Sequence, residues 1–194
     1  MEQIEIKIVE ESKKPIAMNA KKFGLWLFLA SVFMLFMSLT SAYIVRQADG
    51  NWTVFDLPSL FWFTTVVILL SSVTMQWAYF AAKKDNRSTT QLMVMLTLIL
   101  GLVFLVGQFY GWKQLVFDKV YLVGNPSGSF VYVLTGLHGL HIISAVVAVA
   151  ILLVSVVRGK VNSRNMLGIE MCATYWHFLG VLWLYLFVFL IYFR

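Results

Sequence analysis

Charge is scarce in this sequence, and long stretches of chain have none. Lys, Arg, Asp and Glu make up 12% of the 194 residues, against about 25% in soluble domains. Hydrophobic residues reach 60%, where roughly 45–50% is usual. A mean hydropathy of +0.82 leaves too little polar surface to coat a water-soluble globule. A soluble fold is excluded. Cysteine is nearly absent: Cys172 stands alone, so neither an internal disulfide nor a thiolate metal cluster can form. Its apolar surroundings read as those of a small buried hydrophobe. No proline interrupts a hydrophobic run and no carboxylate sits at the centre of one. Ion-coupled carriers place such charges beside broken helices near the bilayer midplane, so an autonomous pump or carrier is disfavoured. Neither a nucleophile–base pair nor a nucleotide-binding glycine loop is visible.

What the chain has is five apolar runs, at 23–45, 58–82, 91–112, 130–157 and 171–193, none containing Asp, Glu, Lys or Arg. The shortest would form a helix of about 33 Å at 1.5 Å per residue, enough for the ~30 Å hydrocarbon core. The fourth is long enough to tilt or to extend into the interface, and Pro126 and Ser127 before it suit a helix N-terminus. The expected fold is an all-α membrane protein, a bundle of five transmembrane helices preceded by a polar tail over 1–22. That tail shows no apolar periodicity beyond an Ile4–Ile6–Ile8 alternation, and from Ala17 it could lie along the membrane surface.

The formal charge is +6, but the basic residues lie between apolar runs rather than along one face, so a nucleic-acid partner is not expected. Eleven of the fifteen Lys and Arg fall in the tail and in the 83–90 and 158–170 loops. Only Arg46, Lys113, Lys119 and Arg194 fall on the opposite side. The positive-inside rule then predicts a cytoplasmic N-terminus and an outside C-terminus. Trp52, Tyr110, Trp112 and Tyr192 at run ends suit interfacial belts. Thr40-Ser41-Ala42 resembles a signal-peptide cleavage site, but the run before it exceeds the usual 7–15 apolar residues, so cleavage is not expected.

Ionisable groups inside membranes are functional candidates by default. Here they are His138 and His141 in the fourth run, His177 in the fifth, and Glu170 at that helix's start. If the fourth and fifth runs share a level inner end, His141 lies about 24 Å from it and His177 about 9 Å. That gap, about 15 Å, is too wide for one iron, and His138 would be further still. Joint haem or metal ligation is therefore not expected, although one His could pair with a ligand from another chain. Hydrogen bonding between helices is the favoured use, ahead of ligand or proton-relay roles. His138, His141, Ala145, Ala148 and Leu152 follow 3-4-3-4 spacing. Ser38 and Ala42 form a small-xxx-small pair, and Glu170, Thr174, His177 and Val181 share a face. Glu170 is also favoured by the helix macrodipole.

Three stretches resemble subunit III of the haem–copper terminal oxidases. Residues 23–46 are similar to a family helix carrying Leu-Phe-x-x-Ser-Glu. Residues 135–142, TGLHGLHI, are close to TGxHGxHV. Glu170 followed by Tyr175-Trp176-His177-Phe178 and Trp183 resembles E-x4-YWHFVDxxW. The resemblance implies the five-helix bacterial form, lacking the first two of seven helices, in the cytoplasmic (inner) membrane. It implies a subunit with no cofactor of its own, packed on subunit I, which bears the haems and copper, with subunit II in the same complex. It is thought to sustain proton uptake and to protect against turnover inactivation. Membrane lipids and a larger respiratory supercomplex are further implied partners. His138, His141, Glu170, Tyr175, Trp176, His177 and Trp183 match the family segments, and a role in an inter-helix polar network or in subunit packing is expected of them. Two acids do not match: Val32 stands for the Glu and Gly180 for the Asp. Cytochrome c is the first choice of electron donor and a quinol the second. A stand-alone transporter and a haem-anchoring membrane cytochrome are the rivals from other classes.

Overall fold

The computed structural model describes residues 19–193. The tail expected over 1–22 lies outside the described residues as far as position 18, together with its isoleucine alternation and Ala17. Residues 20–22 are the first turn of a helix instead. The described chain folds into α1 (Ala20–Ala48), α2 (Leu60–Lys83), α3 (Arg87–Phe117), α4 (Pro126–Val157) and α5 (Leu167–Phe193). Each is long and apolar enough to cross a membrane.

Asparagine starts three of them. The side chains of Asn19, Asn86 and Asn125 accept from the backbone N–H groups of Lys21, Thr89 and Ser127, satisfying donors that a helix start leaves free. Pro126 takes the first position of α4, where its missing N–H costs nothing. These caps start α1, α3 and α4 ahead of their apolar runs, and α3 also continues past its run through Lys113 and Gln114 to Phe117.

Helices α2, α3, α4 and α5 close a ring in which each packs against the next and α5 returns to α2. The backbone of α1 approaches α4 and α5 only, among the described residues. Its inner face is Leu29, Val32, Phe36, Thr40 and Tyr43, a spacing of three and four that makes one stripe. Ser38 and Ala42 are on the other side of α1, exposed and lining a groove toward the start of α4. Among the described residues the small-xxx-small pair is therefore not a packing seam. That seam lies between α2 and α3: a Cβ on Gly107 would come within 2.4 Å of Thr64 Cγ2, and one on Gly111 within 2.4 Å of Phe61 Cε1. Only glycine permits this approach.

The loops tie together in pairs, which fixes the alternation of the helices. On one face Arg87 donates to the Val157 carbonyl, and Asp85 Oδ1 accepts from Ser163 N at 2.6 Å. On the other face Asn125 bridges Thr53 N and Asn51 O. Tyr43 and Gln47 of α1 both donate there to the Phe193 carbonyl. Trp52 and Trp112 turn inward, Trp52 against Tyr43 and Phe130 and Trp112 onto Thr135. Tyr110 and Tyr192 remain exposed.

Candidate functional site: polar joints around α5

In a bilayer a buried N–H or O–H has no water to turn to, so each must find a partner on another helix or on its own backbone. The aromatic residues of α5 do so against α2. Trp176 Nε1 donates to Ser71 Oγ at 3.0 Å and Trp183 Nε1 to Thr65 Oγ1 at 2.9 Å. Both hydroxyls spend their own protons on carbonyls of α2, Ile68 O and Phe61 O, each at 2.7 Å. Their oxygens are thereby aimed to accept. His177 makes the third link, its Nε2 3.0 Å from Gln76 Oε1.

Against α4, the Tyr175 hydroxyl lies 2.6 Å from Ser144 Oγ and also donates to His141 O at 3.3 Å. His138 is fully buried, with Nε2 3.1 Å from Leu179 O. Its ring packs on Trp183 and Phe104, at 5.1 and 5.8 Å between centroids. Against α1, the carboxylate of Glu170 in the first turn of α5 meets Lys22 Nζ at 2.5 Å, and Thr40 Oγ1 meets Tyr185 OH at 2.9 Å. The Lys22–Glu170 pair is partly exposed, so its contribution is small.

His141 behaves differently. Its Nδ1 lies 2.7 Å from Leu137 O of its own helix, and its ring faces Phe28 and Phe36 of α1. The α4 stripe accordingly divides: His138 and Ala145 face the ring core, whereas His141 is half-buried toward α1. On α5, Glu170, Thr174 and His177 line one crevice of about 390 Å³ with Lys22 and Gln76. Val181, expected on the same face, is exposed beyond it.

The depth argument from sequence does not hold. His138 sits beside Leu179, a level about 28 Å from the Val157 end of α4 but about 18 Å from the Leu167 start of α5. The two inner ends are therefore not level: α4 projects further, and the loop after it folds back. His141 and His177 lie within about one helical turn in depth. Direction separates them, because His141 faces α1, His177 faces α2, and His138 points at α5. Among the described residues no three His, Cys, Asp or Glu side chains group as a metal ion would require.

Sequence reasoning missed Gln76, Lys22, Ser71, Thr65 and Ser144, the partners of the candidate residues. The signal was present in α2: Thr65 and Gln76 stand eleven residues apart, three turns along one face, in a helix whose other hydroxyl-bearing residues are Thr64, Ser71, Ser72, Thr74 and Tyr79. A search confined to ionisable groups passes over them. The two departures from the family pattern are packed. Val32 is buried on the inner face of α1, and a Cβ on Gly180 would lie 3.1 Å from Ser72 Oγ.

Comparison with known proteins adds to this geometry. The profile described as "Cytochrome c oxidase subunit III" matches residues 6–194. A "Probable cytochrome c oxidase subunit 3" of Nocardia farcinica is 33% identical over 175 residues, covering 87% of this chain and 86% of that one. A "Probable quinol oxidase subunit 3" of Staphylococcus saprophyticus is 30% identical over 175 residues, covering 87% of each. A "Cytochrome c oxidase subunit 3" of Chondrus crispus is 27% identical over 190 residues, which is 89% of this chain and 66% of that one.

Proposed function

The chain belongs to the cytochrome c oxidase subunit III family, and from that premise we propose that it serves a proton-translocating haem–copper oxidase as a non-catalytic subunit, packing on subunit I and supporting proton uptake and stability. One observation carries this reading: Tyr175, Trp176, His177 and Trp183 of α5 are engaged with Ser144, Ser71, Gln76 and Thr65 of the neighbouring helices. Such an arrangement suits a rigid companion better than a site that turns over substrate. The haems and copper belong to partner subunits, subunit I in direct contact and subunit II in the same complex. Membrane lipids, and a larger respiratory supercomplex, complete the set of partners.

The complex lies in a bacterial cytoplasmic membrane. The face carrying the 84–86 and 158–166 loops points to the cytoplasm, since eight of the eleven basic residues among those described fall on that side. Cytochrome c is the electron donor of first choice. A quinol is the second reading, favoured by the similarity to a relative named for a quinol oxidase. Identifying subunit II, with or without copper ligands, decides between the two.

Deletion of this chain tests the role. Membranes lacking it should keep the haem spectrum of the oxidase and lose activity sooner during turnover, with recovery on re-expression. An oxidase that turns over and takes up protons normally without the chain contradicts the proposal.

A further inference from the structure

Two acceptors in the interior have no donor among the described residues: Nδ1 of His138 and Oε1 of Gln108. Both assignments follow from the partners of the other atoms. His138 Nε2 faces the Leu179 carbonyl, which can only accept, so Nε2 carries the proton and Nδ1 of the neutral ring offers a lone pair. Gln108 Nε2 donates to Thr64 Oγ1 at 3.1 Å, and Thr64 passes its own proton to Phe61 O at 3.1 Å. The amide is thereby oriented with its oxygen free. The two side chains border one cluster. Phe104, one turn from Gln108 on α3, packs against both His138 and Trp183. Trp183 in turn bonds to Thr65, next to the Thr64 that holds Gln108. One turn further out, Trp112 of α3 donates to Thr135 of α4, holding the two helices in register at this level.

Each buried acceptor left without a donor is destabilising, and two acceptors cannot satisfy each other. A molecule with two hydrogens to give satisfies both. We propose that one internal water molecule lies between α3 and α4, donating one hydrogen to His138 Nδ1 and the other to Gln108 Oε1. Interior waters of this kind bind where two or more polar partners converge. The water makes His138 the centre of a joint among α3, α4 and α5, with Leu179 O on one side and Gln108 on the other. A hydrogen-bonding function for the TGLHGLHI segment follows, one that needs no haem or metal.

The test is a map of the intact complex at a resolution that shows internal waters elsewhere in the chain. The expected result is one water within hydrogen-bond distance of both atoms, absent from the map of a Gln108→Leu variant. No density there, density bound to only one of the two atoms, or direct contact between them overturns the proposal. Thermal melting supplies a second readout. Gln108→Leu and His138→Phe should each lower the melting temperature, and the double variant should lower it by clearly less than their sum. Additive shifts count against a shared water. If a variant fails to assemble, the wild-type map alone decides.

Discussion

His177 of α5 donates from Nε2 to the amide oxygen of Gln76 on α2 across 3.0 Å, a bond between residues 101 positions apart in sequence. It lies in the crevice that also holds the Lys22–Glu170 ion pair, so three helices meet through four polar side chains at one end of the bundle. Replacing His177 or Glu170 with leucine should weaken association with subunit I or slow proton uptake, and should bleach no haem. Spectra and proton-uptake rates of the purified assembly check this. Loss of a haem signal from an otherwise assembled complex contradicts it.

The indole links predict a stability pattern. Thr65→Val keeps the shape of the side chain but strands the Trp183 N–H, and Ser71→Ala strands that of Trp176. Each should cost about 1–3 kcal/mol. Ser38→Ala, on the exposed side of α1 where the hydroxyl donates to Met34 O of its own helix, should change stability by less than about 0.5 kcal/mol. Denaturation in detergent ranks the three.

Close packing of α2 on α3 predicts an asymmetry between glycines. Gly107→Ala drives a methyl into Thr64, a stiff buried residue, and should cost about 1–3 kcal/mol. Gly24→Ala meets nothing within 4 Å and should gain roughly 0.5–1 kcal/mol from helix propensity. Equal effects at the two positions would sink this account of the seam.

A loop clip predicts sensitivity to acid. Hydrogen bonds from Ser163, with the charge of Arg164 adding to them, hold the Asp85 carboxyl below the usual carboxylate value. A carboxyl depressed in the fold stabilises it fully above its unfolded value of about 4, and that contribution is lost as pH falls through the lower folded value. The 84–86 and 158–166 loops should therefore become more open to protease as pH drops below about 4. Asp85→Asn should open them at neutral pH and remove that dependence.

The five helices were legible from apolar runs alone, because each run exceeds the bilayer thickness without a charge. The pairing of α5 with α2 was not. It depends on neutral Ser, Thr and Gln side chains more than a hundred residues distant, which leave no mark in hydropathy. The depth of the histidines was misread for a separate reason: the 158–166 loop folds back, so α4 and α5 do not end level. His138, His177, Glu170 and the two tryptophans could be named from the sequence, while the partners they bond to came only from the structure.

Whether this bundle is a companion to a catalytic core is tested most directly by mild-detergent purification through a tag on the chain. The account predicts that a haem–copper subunit I comes with it, together with the haem spectrum of an oxidase. An intact, folded chain recovered without any haem–copper subunit would contradict it.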